Sequence, residues 1–139
     1  MATRERWTHD PAAHDYPAAG NYLSLLLDAA TAAAVVRALQ RAPVIVGKAN
    51  DLLRASRLPL LPADDPEVAK DLKKVKKGTR LSPVLLLRGD VGSGRPLTVA
   101  DGYHRICASY HLDEDAGIPY RLADLPTVHA RPSRAPRSR

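Results

Sequence analysis

Leu97-Thr98-Val99-Ala100-Asp101-Gly102-Tyr103-His104-Arg105-Ile106-Cys107-Ala108 joins a strand, a tight turn and a helix. A buried apolar run ends in Asp101-Gly102, and the residues after it open a helix carrying His104 and Arg105. Glycine takes backbone angles that other residues resist, and without a Cβ it lets another group come close. The first N–H groups of a helix have no intrahelical partner and favour an anion. His104 and Arg105 place further donors at the same spot. Such a turn suits a phosphate and does not say which molecule carries it. The same spacing also describes an ordinary helix start, with Asp101 as its cap and Arg105 on the surface.

The neighbouring segments extend this reading in both directions. Val84-Leu85-Leu86-Leu87 forms the strand before the motif strand, and residues 89–94 join the two. That glycine-rich joint lacks the Gly-Lys-Ser/Thr ending of a phosphate loop, because Gly94 is followed by Arg95-Pro96. With strands on both sides it reads as a hairpin loop. Upstream, Asp64 or Asp65 caps a helix with Pro66 in its first turn. Val68, Leu72 and Val75 supply that helix's apolar face, and Gly78 ends it. Leu58 to Pro62 is an extended apolar link.

Further upstream, Asn21 to Ala42 is helical, with Asp28 or Thr31 as cap. Val44-Ile45-Val46 follows as a short strand. Residues 47–50 then form a turn, and Asn50 or Asp51 caps a short helix through Ala55. Downstream, the motif helix runs from Tyr103 to Leu112 and Ile118 to Leu122 forms a last strand. The expected organisation is a flexible arm over residues 1–20, one domain over 21–125 with residues 21–42 as an N-terminal helical segment, and a basic disordered tail over 126–139.

Composition narrows the class. A chain of 139 residues with 45% hydrophobic content can form one domain with a core. No apolar run reaches the ~18–20 residues of a membrane span, and the polar N-terminus has no signal-peptide core. Cys107 is the one cysteine, so no intramolecular disulfide forms. These features lead to the expectation of a cytoplasmic protein with no membrane association. Of the formal charge of +6, four positive charges (Arg131, Arg134, Arg137 and Arg139) lie in the tail. His9, His14, His111 and His129 lack metal-ligand spacing, and no metal site is assigned to them.

The order of these elements resembles the ParB/sulfiredoxin-like superfamily. The residues that carry the likeness are Leu81-Ser82-Pro83-Val84-Leu85-Leu86-Leu87, the glycine hairpin, Val99-Ala100-Asp101-Gly102-Tyr103-His104-Arg105 and Ile118-Pro119. The resemblance is strongest from Pro83 to Arg105. It implies an α+β fold with a small mixed sheet and packed helices, here with an extra N-terminal helix. It also implies a nucleotide, ATP or CTP with Mg²⁺, whose phosphates sit at the motif helix. Gly102, His104 and Arg105 match the glycine, histidine and arginine of the sulfiredoxin version. Tyr103 stands where sulfiredoxin's catalytic cysteine would fall, and Cys107 lies one helical turn beyond, so repair of oxidised peroxiredoxin is not expected. The ParB version has Gly-Glu-Arg-Arg where this chain has Gly102-Tyr103-His104-Arg105. The residues after Asp124 are too few for ParB's DNA-binding and dimerisation domains, so a full-length partition ParB is not expected either.

The candidate nucleotide or phosphate site is therefore Asp101, Gly102, Tyr103, His104 and Arg105, with Lys48 reaching in from the end of the first strand. Asp101 is the carboxylate available to Mg²⁺. One expected function is a nucleotide-dependent phosphotransferase or switch, with Asp51, Asp101 and Glu67 as undistinguished candidates for a base. The alternative is a non-catalytic nucleic-acid-binding or regulatory accessory protein. It would use Lys73, Lys74, Lys76 and Lys77 with the C-terminal arginines. The leucine-rich segment 21–42 either covers the core or pairs two copies as a homodimer, and the first is preferred. Turnover, and any catalytic residue, stay open.

Overall fold

Val84–Leu87 (β2) is apolar at every position and buried along its whole length. A strand of that kind needs cover on both faces. Val84 and Leu86 point into one apolar cluster and Leu85 and Leu87 into another, as the two-residue period of a strand requires. The computed structural model describes residues 6–126, and within them β2 is an interior strand of a four-stranded sheet.

The other strands are Ile45–Lys48 (β1), Thr98–Asp101 (β3) and Gly117–Ala123 (β4), in the spatial order β1-β4-β2-β3. β2 runs antiparallel to β3 and parallel to β4, while β1 runs antiparallel to β4. The fold is thus α+β with a small mixed sheet. The β2–β3 connection is the expected hairpin, closed by a bridge between Asp90 and Arg95. A register irregularity at Leu85/Leu86 lies beside Asp101, where β3 ends.

Helices Asp15–Leu23 (α1) and Ala29–Arg41 (α2) pack on one face of the sheet. Ala19, Leu23, Val35 and Leu39 are buried there against Leu85 and Leu87. The segment 21–42 therefore covers the core, as preferred from the sequence. It is two helices, and Asp28 caps the second by accepting the Thr31 N–H at 2.8 Å. Helices Ala49–Ser56 (α3), Pro66–Lys76 (α4) and Tyr103–Leu112 (α5) bring Leu52, Leu53, Val68 and Ile106 to the other face.

Asp65 caps α4, accepting the Glu67 and Val68 N–H groups at 3.1 Å each, with Pro66 in the first turn as expected. The expected turn at 47–50 is absent. β1 continues to Lys48 and α3 starts at Ala49 without a side-chain cap.

The flexible arm expected over residues 1–20 is a correction. From Arg6 onward the segment is built into the domain. Trp7 is 3% exposed and pairs with Leu81 in a parallel bridge. The Thr8 N–H donates to the Leu81 carbonyl at 2.7 Å, and the Leu81 N–H to the Arg6 carbonyl at 2.8 Å. α1 also crosses the expected boundary at residue 20, and its first residue, Asp15, is buried. The physical reason is a large apolar side chain and a carboxylate that both have partners distant in sequence. The expected basic tail, with Arg131, Arg134, Arg137 and Arg139, lies outside the described residues beyond Pro126.

Candidate functional site

Gly102 is the N-cap of α5, with φ 112° and ψ 17°. A Cβ there would lie 2.4 Å from Val84 Cγ1 and 2.8 Å from Val84 Cβ. The close approach that glycine allows is therefore used to seat the start of α5 on β2. The space beside its Cα is filled by Val84, where the sequence reading had left it for a ligand. No side chain caps the first turn of α5.

Arg105 stands one turn into α5, and helical side chains lean towards the N-terminus. Its Nη2 reaches Asp101 Oδ2 at 3.0 Å and the Pro83 carbonyl at 3.3 Å. The same nitrogen lies 3.8 Å from Asp15 Oδ2. Asp15 is 1% exposed and its Oδ2 also accepts from the Ser82 hydroxyl at 2.7 Å and the Ala12 N–H at 2.9 Å. One guanidinium thus serves two carboxylates, one from its own motif and one from α1. Burial raises the Asp101 pKa, Arg105 opposes the rise and Asp15 adds to it.

Every polar contact of Arg105 uses Nη2. Its Nε is buried without a hydrogen bond, and Nη1 makes none among the described residues. A guanidinium carries five N–H donors, so most of this one remains unspent.

A polar cavity of about 360 Å³ opens beside Arg105. Its walls come from the N-terminal segment, α4 and residues 80–82, and include Lys74, Arg80, Asp71, Asp10 and His14. Arg80 is exposed and makes no ion pair among the described residues. Lys74 Nζ lies 3.9 Å from Asp71 Oδ1. Asp10 is engaged by Arg121 at 3.3 Å. Asp71 is 8% exposed, and its side chain makes no hydrogen bond among the described residues. Burial pushes its pKa up, against the attraction of Lys74, Arg105 and His104.

The residues chosen from sequence are only partly brought together. Arg105 lines the cavity and Asp101 holds Arg105 from behind. His104 is close enough to Asp71 to act on it electrostatically. The Tyr103 hydroxyl donates to the Pro59 carbonyl, which carries that ring away to the 58–62 link. Lys48 ends β1 at the same end of the sheet as Asp101, but β4 and β2 stand between. At about 4.8 Å per strand this is roughly 14 Å, beyond the reach of a lysine side chain. Lys48 is not part of this cavity.

The base candidates Asp51 and Glu67 also lie elsewhere. Asp51 is exposed and paired with Arg54 at 3.0 Å, and Glu67 is exposed in the first turn of α4. Sequence reasoning missed Asp71, Arg80 and Asp15. Asp71 had a signal: it sits three residues after Val68 and four before Val75, an acid on an apolar helical stripe. Arg80 was visible only as part of a basic run, and Asp15 carried no local signal.

Asp101 does not suit Mg²⁺. One of its oxygens is 3.0 Å from a guanidinium, and that charge would repel a divalent cation beside it. Among the described residues, no group of three or more His, Cys, Asp or Glu could hold a metal ion. No helix among them is long and apolar enough to cross a membrane. Neither a protein-family model, nor a curated protein, nor a solved structure matches the chain.

Proposed function

We propose that the protein binds a phosphate-bearing small molecule in the cavity between the N-terminal segment, α4 and Arg105. The observation that carries the reading is the convergence of Arg80, Lys74 and Arg105, whose Nη1 is unspent, on one cavity of about 360 Å³. Three cationic side chains around a concave site favour a phosphate, and guanidinium groups suit its paired oxygens. The resemblance to the ParB/sulfiredoxin-like superfamily points the same way, since its members hold nucleotide phosphates near this helix start.

The volume lies at the low end of small-molecule sites, about 300–1,000 Å³. It suits the phosphate end of ATP or CTP, or a smaller phosphomonoester. The proposal is binding, because the bases expected from sequence are not placed for turnover. A phosphotransferase needs a free base beside its acceptor. Asp51 and Asp101 are engaged in ion pairs, and Glu67 lies in solvent. Calorimetric titration with ATP, CTP and glycerol 3-phosphate tests the reading, alongside the double variant Lys74→Ala, Arg80→Ala. Saturable binding that the double variant weakens about tenfold or more supports it. Absence of binding by all three compounds removes it.

A second reading rests on the outer face of α4. Lys73, Lys76 and Lys77 are exposed and make no ion pair among the described residues. Nucleic acid held there would bind through phosphates, so its affinity would fall steeply with salt. Duplex DNA binding that is unchanged in Lys73→Glu, Lys77→Glu would exclude this surface.

A further inference from the structure

The cavity carries a charge that a simple phosphate leaves unanswered. Lys74, Arg80 and Arg105 face it as cations, but Asp71 stands among them as a carboxylate. The Asp71 side chain is 12% exposed, and it borders the cavity without a side-chain hydrogen bond among the described residues. A largely desolvated carboxylate that no protein group hydrogen-bonds favours a donor entering from the cavity. Its nearest cation, Lys74 Nζ, is 3.9 Å away, outside hydrogen-bond range. Behind the wall, Asp15 and Asp101 already share the Nη2 of Arg105. These carboxylates therefore offset part of the cationic charge that a phosphate meets here. A molecule that brings its own positive group answers both facts.

We propose that the ligand of this cleft is a phosphate that also bears an ammonium group, and that Asp71 receives the ammonium. The inference rests on the phosphate reading above and names the class of molecule within it. The phosphate lies against Arg80 and the free edge of Arg105. The ammonium donates to Asp71, supplying the hydrogen bonds that the carboxylate lacks. Asp10 is a poorer receiver because Arg121 already holds it at 3.3 Å.

The test is calorimetric titration of the full chain with O-phosphoethanolamine and with glycerol 3-phosphate, which is similar in size and lacks the amine. Asp71→Asn is measured in parallel, since it keeps the side chain's shape and removes its charge. The expected result is about tenfold tighter binding of the amine-bearing compound by the wild type. In Asp71→Asn that preference disappears, because only the amine-bearing compound weakens. Equal affinities in the wild type, or a preference that survives in Asp71→Asn, would overturn the inference and leave the phosphate reading standing. Failure of both compounds to bind would overturn this inference, and the phosphate reading with it if ATP and CTP also fail to bind.

Discussion

Asp15 and Arg105 meet across the fold: a carboxylate oxygen at the start of α1 lies 3.8 Å from Nη2 of the motif arginine in α5. This contact ties the N-terminal segment to the turn that dominates the sequence. Arg105 therefore has a structural duty before any ligand arrives. Removing Asp15 leaves Arg105 its closer pair with Asp101 at 3.0 Å, so the cost is about 1–3 kcal/mol, that of buried hydrogen-bond partners left unmet. Asp15→Ala strands the Ser82 hydroxyl and the Ala12 N–H. A loss of that size in urea unfolding is expected for Asp15→Ala. A loss below about 1 kcal/mol would show that the contact contributes little. Arg105→Ala is expected to be comparably unstable, so Lys74 and Arg80 are the better positions for testing ligand binding.

Gly102→Ala puts a Cβ into Val84 and asks a non-glycine residue to hold φ 112°. The expected cost is about 2 kcal/mol or more, from overpacking and backbone strain together. Val84→Ala in the same chain removes the atoms that clash. The double variant should then lose less than the sum of the two single losses. Strict additivity in thermal or denaturant unfolding would contradict a steric role for this glycine.

Trp7 tests whether the N-terminal segment belongs to the domain. It is 3% exposed and packs in the cluster that holds Leu81, Val84 and Ile106. Trp7→Ala is expected to cost about 3–5 kcal/mol, as for other large core truncations. As the chain's single tryptophan, it can also be watched directly in the wild type. Its fluorescence should change together with far-ultraviolet circular dichroism in a single unfolding transition. An earlier, separate fluorescence transition would mean that the segment detaches on its own.

Local signals made much of this fold legible. The caps were narrowed to Asp28 or Thr31 and to Asp64 or Asp65, and Asp28 and Asp65 fill them, because a cap acts within three residues of itself. The apolar run Val84–Leu87 announced a strand, and the fold covers it with a helical layer on each face. Tyr103–Leu112 has the limits that the sequence suggested. What failed depended on distant partners. Trp7 looked like part of a loose arm because its partner, Leu81, lies far along the chain. Gly102 looked like a ligand contact because nothing local shows that Val84 fills the space beside it. Lys48 looked close to the motif because strand order is not written beside either residue. Asp71 was readable in principle, as a carboxylate on an apolar stripe.

Asp71 should reduce stability in its ionised form. Burial raises its pKa in the folded protein above the ordinary value of 3.8, so the folded chain holds the proton at higher pH than the unfolded chain. Ionised Asp71 therefore opposes folding at neutral pH. That cost is relieved as pH falls through the raised value and is gone below 3.8. Asp71→Asn is expected to melt higher than the wild type at pH 7, with the gap closing on acidification. A variant no more stable than the wild type at pH 7 would show that Lys74 already offsets the burial. A gain in stability on removing this carboxylate is the pattern of a residue kept for function.

The central claim is that a phosphate enters the cavity beside Arg105, and the most direct measurement is backbone amide chemical-shift mapping during titration with inorganic phosphate. Saturable shifts confined to the cavity wall, at Thr8, Ala12, Lys74, Ser82 and Arg105, are expected, with loss of saturation in Lys74→Ala, Arg80→Ala. Shifts centred instead on the outer lysines Lys73, Lys76 and Lys77, or no saturable shift, would contradict the claim.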